Sequence, residues 1–131
     1  ISAALFDLSI GQADVEAQIA GNKAAREKQK AAGYIALSPP AGWNDHLDDE
    51  TLKKSLGAAA KADLHALAKL IHLPVLIATG DHDPNLESSR TAQALMSNAA
   101  LVEMTDVGHG SVIMQPDLCT QTFLNFVRSH V

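Results

Sequence analysis

Apolar and polar positions along this chain alternate between short apolar runs and longer amphipathic stretches. Four apolar runs have the length and residue types of strands buried in a parallel sheet: residues 1–8, 34–37, 75–78 and 101–104. Helical spacing of apolar residues characterises the stretches between and after them: residues 12–32, 49–71, 86–97 and a last one from Pro116. This alternation predicts an α/β fold, with one parallel sheet and helices on both of its faces.

Residue preferences predict several helix boundaries and buried faces. Gly33 is suited to end the first helix, and Pro116 with Asp117 to begin the last one. Gly57 lies inside the long second helical stretch and predicts a bend or a break there. The residues expected to face the core are Ala92, Leu95 and Met96 in the third helix, and Cys119, Phe123, Phe126 and Val127 in the last.

The composition is that of a soluble globular chain large enough for one core, with 131 residues, 47% of them hydrophobic, and a net charge of −5. No basic stripe is present to neutralise phosphates, which excludes nucleic acid and anionic membrane surfaces as partners. No apolar run approaches the ~20 residues of a membrane span. The single cysteine, Cys119, excludes an internal disulfide and indicates a reducing compartment, so we expect a cytoplasmic protein.

Residues able to do chemistry follow the third and fourth predicted strands. The run that begins at Val75 stops at Gly80, and Asp81, His82 and Asp83 come directly after it. Beyond the next strand, His109 stands between two glycines. The carboxyl ends of parallel strands are where α/β sheets bind ligands. An acid after one strand and a histidine after the next therefore predict two members of a nucleophile–base–acid system.

These motifs carry a family resemblance. Residues 74–84 read Pro-Val-Leu-Ile-x-x-Gly-x-x-Asp-Pro, and a helix, a strand and Gly-His-Gly at 108–110 follow. The order resembles the C-terminal part of an α/β-hydrolase, in which the chain order of the triad is Ser…Asp…His. The resemblance covers residues 73–131 well and is weaker upstream. It implies that Asp83 is the acid and His109 the base.

The resemblance also implies that residues 1–131 are the C-terminal portion of a single α/β-hydrolase domain. A complete core of this type runs well over ~200 residues, and the first residue is Ile1 rather than methionine. We therefore expect the chain to associate with a missing N-terminal segment or a second chain. A sheet that lacks its neighbouring strands exposes an edge, so the chain alone is not expected to be a stable monomer.

The position of the nucleophile has two interpretations. In the preferred one, residues 1–8 are the strand before the nucleophile turn, and Ser9 is the nucleophile. Ser9 stands between a predicted strand and a predicted helix, and Gly11 follows at the place where the motif needs no side chain. The backbone N–H of Ile10 would then be one oxyanion donor, with a second from the missing part. Residues 34–37 would be the next strand of the family.

In the second interpretation, residues 1–8 are a later strand, residues 10–70 are a cap insertion, and the serine lies in the missing part. Asp7 favours this alternative. The nucleophile turn of the family, the elbow Gly-x-Ser-x-Gly, usually carries a tiny residue two positions before the serine. Ser9 would then be a helix N-cap, for which serine is a common choice.

The triad implies a definite role for each member. His109 would take the proton of the serine hydroxyl and return it, since histidine titrates near neutral pH. Asp83 would hold the imidazole in the right tautomer. Asp81 is expected to hydrogen-bond loop backbone, and His82 to be an exposed loop residue. These four side chains could imitate a metal site, but their spacing fits a triad better, so we expect neither a metal nor an organic cofactor.

The resulting functional hypothesis is a serine hydrolase that cleaves a carboxylic ester or a related acyl bond of a small molecule, similar to dienelactone hydrolases and small esterases. Tyr34 and Trp43 are candidates for lining the acyl pocket or for closing the edge of the core. The alternative is a non-catalytic, hydrolase-like binding or assembly module, which Asp7 also favours.

Overall fold

A computed structural model describes residues 1–11, 15–33, 41–42, 45–46 and 48–130. The strands among these residues are β1 (Ala3–Phe6), β2 (Val75–Gly80) and β3 (Ala99–Met104). The helices are α1 (Val15–Ala31), α2 (Asp49–Lys61), α3 (Leu64–Ala68), α4 (Leu86–Leu95), α5 (Ser111–Met114) and α6 (Pro116–Ser129). The strand predicted at residues 34–37 lies outside the described part of the chain. No helix among the described residues is both long enough and apolar enough to cross a membrane.

The chain divides into two compact units. One consists of Ile1–Ile10 together with Leu64–Val131 and contains the sheet. The other consists of Gly11–Asp63 and contains α1 and α2. An ion pair between Lys53 and Glu16, at 3.1 Å, links these two helices within the second unit.

The sheet of the first unit is parallel, and its order is β1-β2-β3. The register of β1 against β2 begins at Ala3 opposite Val75, and that of β2 against β3 begins at Val75 opposite Ala99. All residues of β2 are buried, as expected for a central parallel strand covered on both faces. This confirms the predicted parallel α/β sheet for the described strands.

Alternate residues of the strands feed two apolar clusters, one on each face of the sheet. The cluster under α3 and α4 contains Ile10, Ala68, Val75, Ile77, Ala92 and Met96. The cluster under α6 contains Leu76, Ala78, Met104, Val107, Cys119 and Phe126. Helices therefore cover both faces, as predicted, and the buried positions expected for Ala92, Met96, Cys119 and Phe126 are confirmed.

Two local expectations were wrong, and one short helix was missed. The helical stretch 49–71 does break, but at residues 62–63 rather than at Gly57, which lies inside α2. Asp63, directly before α3, is of a residue type favoured at helix N-caps and explains this position. The side chain of Phe123 is 41% exposed, so α6 does not bury all of its predicted face. The short helix α5 was not predicted; it follows Gly110, whose φ is 83°.

The direct pairing of β1 with β2 bears on the two interpretations of the nucleophile. Strand β2 is hydrogen-bonded on both sides, to β1 and to β3. Neither side of β2 is therefore open to a further strand. Residues 11–63 form a separate unit inserted between β1 and α3. Both observations favour the second interpretation, in which β1 is a later strand and the insertion is a cap.

Candidate active site

Asp83 and His109, predicted from the sequence as acid and base, are in hydrogen-bond contact. The Oδ2 atom of Asp83 lies 3.0 Å from Nδ1 of His109. The Asp83 side chain is 0% exposed, whereas that of His109 is 55% exposed. The backbone N–H of Asn85 donates to the other oxygen, Oδ1 of Asp83, at 2.7 Å. The buried carboxylate is thus satisfied at both oxygens, and the imidazole ring is oriented through its Nδ1.

The loops after β2 and β3 are joined by a close backbone approach. At Gly80, the last residue of β2, a Cβ would lie 2.0 Å from the carbonyl oxygen of Val107. The N–H of His82 donates to that same oxygen at 3.0 Å, and the N–H of Val107 donates to Asp81 Oδ1 at 3.3 Å. These bonds bring Asp83 and His109 together at the end of the sheet where β2 and β3 terminate. The bond to Val107 also confirms the prediction that Asp81 hydrogen-bonds loop backbone.

A third acidic side chain, Asp7, belongs to this site. Its Oδ2 accepts three hydrogen bonds, from Gly110 N at 3.0 Å, Ser111 N at 2.7 Å and Ser111 Oγ at 3.0 Å. One carboxylate oxygen each of Asp7 and Asp83 and a ring nitrogen of His109 lie within 4.8 Å of one another. Sequence reasoning treated Asp7 only as a departure from the elbow motif. Its place at the carboxyl end of a strand was the signal that could have identified it.

The electrostatic environment of Asp7 is mixed. Burial raises the pKa of its carboxyl group above the ordinary value, and the nearby charge of Asp83 acts in the same direction. The hydrogen bonds from Ser111 and the proximity of His109 lower this pKa, but they do not cancel the effect of burial. Its second oxygen, Oδ1, is buried and accepts no hydrogen bond from any residue that the structure describes.

The start of α4 holds the segment after β1. Asn85 Nδ2 donates to the carbonyl of Asp7 at 3.1 Å, and Ser89 Oγ donates to the carbonyl of Leu8 at 2.9 Å. The N–H of Ile10 donates to Ser88 Oγ at 2.9 Å. This amide is therefore engaged within the fold, and the predicted role of Ile10 as an oxyanion donor is corrected. The Ile10 side chain instead belongs to the core under α3 and α4.

The nucleophilic role of Ser9 stays a prediction, and its local geometry differs from an elbow. Strand β1 ends at Phe6, before Ser9, and the first described helix begins only at Val15. The left-handed backbone in this turn is at Asp7, with a φ of 53°, whereas an elbow places its strain at the nucleophile. Tyr34 and Trp43, the predicted pocket residues, lie outside the described part of the chain.

Two groups of side chains at this end of the sheet have donor atoms close enough to hold a metal ion. They are Asp7 with Asp83 and His109, and Asp81 with His82 and Asp106. In the first group, Asp83 and His109 are hydrogen-bonded to each other through Oδ2 and Nδ1. This pairing is the one that a triad needs.

No protein-family model matches the sequence, and no curated protein matches it. Solved structures, in contrast, resemble the chain over nearly its whole length. An enol-lactonase from Burkholderia xenovorans LB400 is 22% identical, with a TM-score of 0.66 over 97% of this chain and 56% of its own. A thermophilic esterase from Thermogutta terrifontis is 18% identical, with a TM-score of 0.62 over 98% of this chain and 56% of its own.

An alpha/beta hydrolase enzyme from a Medee basin deep-sea metagenome library is 20% identical, with a TM-score of 0.58 over 95% of this chain and 55% of its own. The chain thus spans little more than half the length of each of these structures. At these identities the likeness establishes the fold. The chain has the fold of the C-terminal part of an α/β-hydrolase.

Proposed function

We propose that Asp83 and His109 are the acid and base of a serine hydrolase that cleaves a carboxylic ester or a related acyl bond. The observation that carries the proposal is the bond between His109 Nδ1 and the fully buried Asp83, at 3.0 Å. A neutral imidazole held by Nδ1–H has a lone pair on Nε2 that can accept a proton from a hydroxyl nucleophile. The likeness to an esterase and an enol-lactonase supports an acyl carbonyl as the group attacked.

The chemistry follows from this arrangement. As the serine oxygen attacks the carbonyl carbon, its proton passes to His109 Nε2, and the buried Asp83 carboxylate stabilises the imidazolium that forms. The imidazolium then protonates the leaving alkoxide as the ester bond breaks. Water then attacks the acyl-enzyme while the same nitrogen takes its proton. The imidazolium returns that proton to the serine oxygen as the acyl–serine bond breaks, which restores the neutral ring.

The proposed nucleophile is a serine in a part of the fold outside these 131 residues. Among the described residues, β1 pairs along one edge with β2, and its other edge can accept a further parallel strand. A nucleophile at the carboxyl end of such a strand would lie beside the turn of Asp7. The separate unit Gly11–Asp63 supports this arrangement, because an insertion at that place corresponds to a cap.

The first prediction tests the acid and base in the complete protein with p-nitrophenyl butyrate as substrate. His109→Gln should lower kcat by ~10⁴-fold or more, because the proton acceptor is lost. Asp83→Asn should lower it by up to ~10⁴-fold, because the remaining ring adopts the wrong tautomer. The matched controls His82→Gln and Asp81→Asn change neighbours in the same loop and should stay within ~10-fold. Full activity of His109→Gln, or a larger loss in Asp81→Asn than in Asp83→Asn, would contradict the assignment.

The second prediction concerns the nucleophile and uses covalent labelling by a fluorophosphonate, which requires an activated serine. The wild-type protein should be labelled, and Ser9→Ala should be labelled equally and keep its turnover. Loss of labelling in Ser9→Ala would restore the interpretation in which Ser9 is the nucleophile. An unlabelled wild-type protein would favour the non-catalytic module.

A further inference from the structure

We propose that Asp7 is a positioning residue for His109: its carboxylate fixes the turn that carries the histidine, and its charge favours the protonated imidazole. The catalytic consequence rests on the proposed function. The structural part, a coupling between Asp7 and His109, does not.

The first part of the proposal rests on the three donors that converge on one oxygen. Gly110 and Ser111 directly follow His109, and both of their backbone N–H groups point to Asp7 Oδ2, at 3.0 and 2.7 Å. The Ser111 hydroxyl, in a fully buried side chain, is the third donor at 3.0 Å. The ring of His109 is held by Asp83 on one side. The backbone that follows it is held by Asp7, so two aspartates fix the histidine from two directions.

Asp7 can fix the histidine turn because hydrogen bonds hold its own backbone in place. Its N–H donates to the carbonyl of Ala78 in β2 at 2.9 Å, and its carbonyl accepts from Asn85 Nδ2 at 3.1 Å. Asn85 also donates its backbone N–H to Asp83. The acid that orients the ring and the acid that holds its loop are therefore tied to one residue at the start of α4.

The second part of the proposal concerns charge. Asp7, Asp83 and His109 have donor or acceptor atoms within 4.8 Å of one another, and no described residue donates to Asp7 Oδ1. The other titratable groups grouped at this end of the sheet, Asp81, His82 and Asp106, form a separate cluster. The proximity of His109 lowers the pKa of Asp7, and the effect of two charges on each other is mutual. The Asp7 anion thus favours imidazolium, the state that forms when the base takes a proton.

Two substitutions separate the positioning of His109 from the effect of charge. Asp7→Gly removes the carboxylate and accepts the left-handed backbone at φ 53° without strain, so any loss of activity is not caused by the turn itself. Asp7→Asn also tolerates this backbone and keeps an acceptor oxygen for the three donors, but it removes the charge. Asp106→Asn is the matched control. It removes a charge from the same end of the sheet, but outside the group formed by Asp7, Asp83 and His109.

The experiment measures kcat and KM against pH on an ester substrate, and the titration of His109 by NMR of ¹³C-labelled histidine, with the signal assigned through His109→Gln. Asp7→Gly should lower kcat by ~10²-fold with little change in KM, because the base is displaced. Asp7→Asn should recover most of this loss. Its His109 midpoint and the acid limb of its kcat/KM profile should both move to lower pH, by ~1 pH unit. Asp106→Asn should leave the midpoint in place.

A wild-type kcat in Asp7→Gly would contradict the claim that the Asp7 carboxylate positions His109. An unchanged His109 midpoint in Asp7→Asn, or an equal movement in Asp106→Asn, would overturn the charge effect. The proposed function fails separately, through full turnover in His109→Gln. In that case the NMR midpoints still decide whether Asp7 and His109 are coupled.

Discussion

Gly80 is the residue at which the two loops of the site come closest. The carbonyl of Val107 occupies the space where a side chain at position 80 would begin, with 2.0 Å between its oxygen and an added Cβ. The same carbonyl accepts the N–H of His82, one residue before Asp83. A glycine at the end of β2 is therefore a condition for the contact between Asp83 and His109.

The third prediction follows from this approach. Gly80→Ala must push Val107 away, so it should lower the free energy of unfolding by ~1–3 kcal/mol and reduce turnover as well. Gly57→Ala is the control: it lies inside α2 with open space around its Cα, and alanine there should stabilise by ~0.5–1 kcal/mol. Urea denaturation and ester turnover measure both effects. A Gly80→Ala protein as stable and active as wild type would show that the Val107 loop can yield without cost.

At this scale the sequence predicts local partners and misses distant ones. Asp83 and His109 could be identified because each follows a strand in a short motif that can be read in place. Asp7 and Ser111 are separated by 104 positions, and no local sequence pattern predicts their contact. The same limit applies to Ile10. Its N–H was predicted to donate to an oxyanion, but it donates to Ser88 Oγ.

At the scale of elements, the order of the strands was the feature hardest to infer. A short apolar run predicts a buried strand, but it does not specify which strand is its neighbour. Residues 1–8 and 34–37 both fit the pattern, so the pairing of β1 with β2 could come only from the structure. The helices were easier, because α4 and α6 each carry an apolar face with a clear period.

The join between β1, β2 and α4 depends on two buried hydroxyl groups. Ser89 Oγ donates to the carbonyl of Leu8 at 2.9 Å and lies 2.7 Å from Thr79 Oγ1, so Thr79 is the donor of the second bond. Both side chains are fully buried. The end of β1 is thereby tied to the helix that starts beside Asp83.

The fourth prediction tests this join. Ser89→Ala should lower the free energy of unfolding by ~1–3 kcal/mol, because the partly buried carbonyl of Leu8 and the buried hydroxyl of Thr79 lose their partner. Thr91→Ala, on the exposed side of the same helix, removes one exposed bond to the carbonyl of Glu87 and should change stability by less than ~0.5 kcal/mol. Equal effects from the two substitutions in chemical denaturation would show that the buried hydroxyls do not hold the strand.

At the scale of the whole molecule, the chain is one sheet-bearing unit with another unit inserted into it. The inserted unit, Gly11–Asp63, begins after the turn that follows β1 and ends directly before α3. Helix α3 remains in the sheet-bearing unit and can still supply the crossover that a parallel β1–β2 pair requires. The sheet-bearing unit also contains Asp7, Asp83 and His109.

The fifth prediction is that residues 12–62 can be replaced, in the complete protein, by a Gly/Ser linker of about ten residues without loss of the sheet. Circular dichroism should retain its parallel α/β character, and fluorophosphonate labelling should persist, while substrate preference should change because the proposed cap is gone. Loss of cooperative unfolding would contradict the division of the chain into an insertion and a self-sufficient sheet.

The contact of Asp7 with Ser111 also has a consequence for how the protein reaches its native state. The two residues lie 104 positions apart, and the loop that their contact closes contains most of these 131 residues. Closing such a loop costs chain entropy that only strand pairing and core burial can offset. We therefore expect the histidine turn to form late in folding, after β1 has paired with β2. On that expectation, a partly refolded chain carries Asp83 and His109 before their site is ordered, so the return of the proposed activity in the complete protein should mark the last step of folding.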